Sequence, residues 1–186
     1  MWGGVPGLVA YASERFGFND AIVDGDVRIA YEELADRCLE LTRAVLGTGV
    51  GAGDRVALWA PNMAEWVLTA LAVLGAGATL VPLNTRFKGE EAAFVLRRSR
   101  ARMLFTVRGF LGNDYPAMLE GEELPDLERI VLLRDADGPP SLAAATAEVP
   151  VFAWTEFLRC IDGVVEGDGG HVGVPVSDHA ARNRWQ

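Results

Sequence analysis

The sequence predicts an α/β domain, a mainly parallel sheet with helices on both faces. Three observations carry that expectation. Short apolar runs alternate with segments whose apolar residues recur every three or four positions. Gly-rich turns, at Gly47–Gly53 and Gly75–Gly77, separate them. Half of the 186 residues are hydrophobic and 23% are charged, which suits one domain with a sizeable core.

The elements follow in order. Pro6 to Phe16 has helical spacing. Ala21-Ile22-Val23 and Val27-Arg28-Ile29 flank Asp24-Gly25-Asp26, a hairpin with an extra residue expected in its loop. From Tyr31 the period lengthens: Leu34, Cys38, Leu41 and Val45 mark an amphipathic helix ending near Gly47–Gly49. Val56–Trp59 is a strand, and Asn62 is placed to cap a helix running to about Leu74. Thr79–Val81 is a strand, Glu90–Arg98 a helix and Met103–Thr106 a strand. Tyr115–Glu120 reads as a helical turn and Ile130–Leu133 as a strand. Val151–Trp154 adds a strand, with a helical turn through Phe157. Residues 1–160 form the expected domain; residues 161–186 form a Gly-rich, divergent tail with little core material.

Charge and composition exclude several classes of function. A formal net charge of −9 argues against nucleic acid or an anionic membrane as partner. The uncharged run from Trp66 to Thr85 has the length of a membrane span. Gly75-Ala76-Gly77 and Pro82 break it into a helix, a turn and a buried strand. Val5–Ala12 is apolar but no Lys or Arg precedes it, so it does not read as an export signal. Two cysteines, Cys38 and Cys160, do not make a disulfide scaffold, and a cytoplasmic, reducing setting is expected.

Residue chemistry alone identifies no catalytic group. Gly47-Thr48-Gly49-Val50-Gly51-Ala52-Gly53 places Ala52 where a dinucleotide loop needs glycine. It also follows a helix, whereas such a loop follows a strand. No Walker-type loop occurs. His171 and His179 have no metal-ligand spacing, and no serine lies in a nucleophile motif, so no metal and no catalytic residue are assigned.

Three collinear blocks carry a resemblance. They are Ile29-Ala30-Tyr31-Glu32-Glu33-Leu34; Gly53-Asp54-Arg55-Val56 through Pro61-Asn62 to Glu65-Trp66; and Leu74–Ala78 followed by Val81-Pro82-Leu83-Asn84-Thr85-Arg86-Phe87. Together they resemble the start of the adenylate-forming, AMP-binding superfamily of acyl-CoA ligases, over roughly residues 5–160. Asn84–Glu91 with Gly109–Tyr115 is most similar to actinobacterial fatty-acid or steroid-acid CoA ligases.

The resemblance implies a two-step reaction. A carboxylate attacks the α-phosphate of Mg-ATP to give an acyl-adenylate, and CoA thiolate then displaces AMP. ATP, Mg²⁺ and CoA are thus implied for the intact family, while no cofactor is expected for this chain alone. The family's phosphate loop has no full counterpart here. Gly169-Gly170-His171-Val172-Gly173-Val174-Pro175-Val176 keeps two glycines and a proline but lacks the hydroxyls and the lysine. It reads as a chance match rather than a decayed loop. Resemblance also places Arg86 and Lys88 near a CoA phosphate; by residue type alone they read equally well as solvated cations beside a helix start. The expected function is therefore an N-terminal piece of an acyl-CoA ligase, inactive alone. The alternative is a non-catalytic binding module built on the same sheet.

Overall fold

The computed structural model describes residues 4–134 and 149–159. Helix α1 (Val5–Phe16) leads into a hairpin of β1 (Asp20–Asp24) and β2 (Val27–Ala30), then α2 (Tyr31–Gly47). The sheet is built from β3 (Arg55–Trp59), β4 (Thr79–Pro82), β5 (Met103–Thr106), β8 (Arg129–Leu132) and β9 (Val151–Ala153). Between them lie α3 (Ala64–Gly75) and α4 (Gly89–Ser99), a small hairpin of β6 (Arg108–Phe110) and β7 (Asn113–Asp114), and a 3-10 turn at Ala117–Leu119. Helix α5 (Trp154–Arg159) closes the described chain.

Strand order is β4-β3-β5-β8-β9, and every neighbouring pair is parallel. The step from β3 to β4 goes one way along the sheet, and the step from β4 to β5 crosses back over β3. Right-handed crossovers in opposite directions put α3 and α4 on opposite faces. Helices α1 and α2 pack with α3, and α5 packs on α2, whereas α4 meets the 3-10 turn. Helices on both faces explain the strand sequences. Val56–Trp59 and Met103–Phe105 are fully buried, so the inner strands are continuously apolar rather than alternating. Phe105 meets Phe157 of α5 edge to face, with centroids 5.4 Å apart.

The amino ends of the strands are tied by arginines. Arg102 reaches Glu128 with two bonds (2.7 and 2.9 Å), Asp54 (2.8 Å) and the Gly49 carbonyl (3.2 Å). Arg55 donates to the carbonyls of Ser99 (2.6 Å) and Arg100 (2.7 Å). The hydrogen bonds to Glu128, with that carboxylate's charge and Asp54's, raise the Arg102 pKa further above its usual value against the opposing effect of burial. The Gly47–Gly53 stretch lies at this end as a helix stop and turn, with Gly49 and Gly53 at positive φ.

Several local expectations are corrected. Asn62 does not cap α3. Helix α3 starts at Ala64, whose N–H donates to the carboxylate of Asp24 (3.1 Å), a residue distant in sequence. The extra residue of the first hairpin lies in β1, between Asp20 and Ile22, and the turn itself is two residues, Gly25-Asp26. Gly75, the last residue of α3, lies close against α2: a Cβ there would sit 2.7 Å from the Thr42 hydroxyl. The β6–β7 hairpin was not foreseen. The Ala-rich Ser141–Glu148 segment and the tail 161–186 lie outside the described residues. Among the described residues no helix is long and apolar enough to cross a membrane.

Candidate functional site

In an open parallel sheet, ligands bind outside the carboxyl ends of the strands, where the order reverses. Here that point lies between β3 and β5. Protein side chains fill it. Trp59, the last residue of β3, stacks on Tyr115 with centroids 4.4 Å apart and planes 19° from parallel. Both are fully buried. Thr106, opposite Trp59 on β5, donates its hydroxyl to the Trp59 carbonyl (2.8 Å) and seals the join. Burial raises the Tyr115 phenol above its usual pKa.

From this plug rises the loop that carries the two candidate cations. Trp59 Nε1–H donates to the Asn84 carbonyl (3.0 Å), and the Tyr115 hydroxyl donates to the Thr85 carbonyl (2.9 Å). The Asn84 side chain accepts from the Arg86 N–H (2.9 Å), and its carbonyl accepts from the Phe87 N–H (3.0 Å). Such an Asx turn is why asparagine suits this position. The Lys88 N–H donates to Glu91 (2.7 Å) at the start of α4. Arg86 and Lys88 themselves are exposed, and among the described residues neither forms an ion pair. Sequence reasoning named both cations, as CoA-phosphate contacts by resemblance or as solvated residues beside a helix start by residue type. It missed Trp59 and Tyr115, because their partners are set by chain crossing rather than by local pattern.

The amino end of α3 faces the same edge and is a natural anion site by its dipole. It is filled by the protein's own acids. Asp24 accepts the Ala64 N–H, and Arg134 clamps Asp24 (3.2 Å) and Glu65 (2.8 and 3.1 Å) together. The Glu65 hydrogen bond comes first among the causes that raise the Arg134 pKa further. A phosphate approaching α3 meets two carboxylates. The described residues therefore do not fit the triphosphate of ATP. Among them no group of three or more His, Cys, Asp or Glu is placed to hold a metal. The Gly169–Val176 stretch, His171 and His179 lie outside the described residues.

One further concavity, of about 370 Å³, opens between α1, α2 and α3, lined by Val9, Ala10, Leu39 and Leu71 with Glu14 and Asp36 among its polar members. Helix α1 buries no residue fully.

The AMP-binding enzyme family matches residues 9–177. The chain is 38% identical over 162 residues to a (7a-methyl-1,5-dioxo-octahydro-1H-inden-4-yl)propanoyl:CoA ligase of Rhodococcus jostii, covering 84% of this chain and 30% of that enzyme. Its Mycobacterium tuberculosis namesake is 41% identical over 127 residues, covering 68% and 25%. Among solved structures, the N-terminal subdomain of Klebsiella oxytoca NpsA, bound to anthranilyl-AMSN, superposes with TM-score 0.54 at 28% identity, covering 57% of this chain and 28% of that one. An anthranilate CoA ligase, AuaEII, shares the fold with TM-score 0.68 at 24% identity over 87% and 28%. The chain thus spans under a third of the length of these relatives. The collinear blocks, the parallel sheet that they build and these matches together place the chain in the AMP-binding enzyme family.

Proposed function

We propose that this chain supplies the N-terminal α/β part of an ATP-dependent carboxylate–CoA ligase, for a bulky alicyclic or steroid-type acid like that named for its actinobacterial relatives. The observation that carries this reading is the 38% identity sustained over 162 residues to such a ligase. In the whole reaction ATP would activate the carboxylate and CoA would take the acyl group. The described residues contribute a scaffold and a cationic loop, Arg86–Lys88, whose task is to meet a CoA phosphate. The segmentation into a domain at residues 1–160 and a tail after it belongs to the same proposal. The alternative, a stand-alone interaction module, is not favoured by the matches.

The test is calorimetry on the purified, folded chain. Mg-ATP, with or without the acid, is expected to give no binding heat. CoA is expected to bind weakly, with affinity reduced about two- to thirtyfold in an Arg86→Ala, Lys88→Ala double variant, since each exposed charge contact contributes about 0.2–1 kcal/mol. Micromolar ATP binding would overturn the reading of this chain as catalytically silent alone. Equal CoA affinity in both proteins would remove the role of the loop.

A further inference from the structure

We propose that Tyr115 is the positioning residue of the Asn84–Lys88 loop, holding its backbone so that Arg86 and Lys88 project from a fixed platform. This rests on the reading of that loop as a phosphate contact. The case begins with connectivity. Tyr115 follows the β6–β7 hairpin, thirty positions after Thr85, yet its hydroxyl donates to the Thr85 carbonyl at 2.9 Å. That carbonyl belongs to the residue immediately before Arg86.

The ring that carries the hydroxyl cannot move far. It is fully buried and stacked on Trp59, which itself donates to the neighbouring Asn84 carbonyl. Two consecutive carbonyls of the loop are thus held by two stacked aromatic rings. A close-packed aromatic pair has few alternative rotamers, so it transmits the position of the sheet to the loop with little slack. The loop's internal bonds, from the Arg86 amide to the Asn84 side chain and from the Phe87 amide to the Asn84 carbonyl, are built on that anchor. Long cations lose conformational freedom on meeting a phosphate; fixing their backbone beforehand removes part of that loss.

The experiment compares the wild-type chain with Tyr115→Phe, which keeps the ring, its stack and its volume and deletes one hydroxyl. Amide hydrogen exchange is read at Arg86 and Phe87, with Leu104 and Phe105 of the central strand as the reference for global opening. Exchange at Arg86 and Phe87 is expected to quicken about three- to tenfold, the worth of one hydrogen bond, with the reference amides unchanged. Unchanged exchange at the two loop amides overturns the proposal. So does equal quickening of loop and strand amides, which would mean a general loss of stability. CoA affinity, measured in parallel, is expected to fall by a similar factor. If the wild type binds no CoA, the phosphate reading fails by itself, and the exchange data still decide whether Tyr115 fixes the loop. Should the variant fold poorly, the wild-type chain decides: an anchored loop protects the Arg86 and Phe87 amides from exchange, and exchange there at the unprotected rate overturns the proposal.

Discussion

Gly89 begins helix α4 directly against the Met118 carbonyl of the 3-10 turn, with no room between them for a side chain. A Cβ at Gly89 would overlap that oxygen. The backbone here is ordinary helix, so the glycine is required by close approach rather than by an unusual φ. It lets the loop after β4 and the segment after β7 converge, which is also what brings Thr85 and Tyr115 together.

Gly89→Ala is accordingly expected to destabilise the chain by about 2–3 kcal/mol, because both opposing atoms are backbone and the strain has no flexible outlet. Gly51→Ala, where the nearest atom to a new Cβ is 3.8 Å away, is the control. It should change stability by less than about 0.5 kcal/mol. Urea denaturation midpoints distinguish the two.

The cap of α3 provides a second test. Asp24→Ala removes the acceptor of the Ala64 N–H and one partner of Arg134, and should cost about 1–2 kcal/mol. Asn62→Ala should be near neutral. If the Asn62 variant proved the more damaging in thermal melts, the cap assignment would be wrong.

Burial pushes the Cys38 thiol up to about 12, from 9.0. Between those values the unfolded chain has released a proton that the folded chain keeps. Stability should therefore be unaffected below pH 9 and fall as pH rises through the window to 12. In a Cys160→Ser background, Cys38→Ala should flatten part of that slope, as read from urea midpoints at stepped pH. The raised Tyr115 phenol adds a fall of the same sign at the upper end. A slope unchanged by Cys38→Ala would show that the thiol does not titrate differently on unfolding.

Arg102 joins the residues before β8 and β3, Glu128 and Asp54, to the turn after α2 at Gly49. Lysine cannot reproduce its planar fork. Arg102→Lys is expected to lose about 1 kcal/mol, and Arg102→Ala about 1–2 kcal/mol, with the difference between wild type and Ala shrinking in high salt. Equal stability of all three proteins would make the cluster ornamental.

Much of the fold was legible before the structure, for identifiable reasons. The alternation of Val56–Trp59, Thr79–Val81 and Met103–Thr106 with helical patterns required a parallel sheet, because short apolar runs joined by helices have few other ways to bury themselves. Helix α4 is read within a residue of its observed ends. The failures are equally specific. Asn62 has the right chemistry for a cap, but Asp24 reaches the helix start from another hairpin. The β6–β7 hairpin is too short for its apolar pattern to show.

The candidate site divides along the same line. Sequence by itself determined the family, the strand order's raw material and the presence of two cations, Arg86 and Lys88, at the end of a strand. It did so because those depend on residue type and local spacing. Tertiary structure alone decided that Trp59 and Tyr115 plug the switch point, that Asp24 and Glu65 close the amino end of α3 to phosphate, and that Arg86 and Lys88 are left exposed and unpaired among the described residues. Each of these is a meeting of side chains separated by tens of residues, and such meetings are fixed by how crossovers pack on the sheet, which no local pattern encodes.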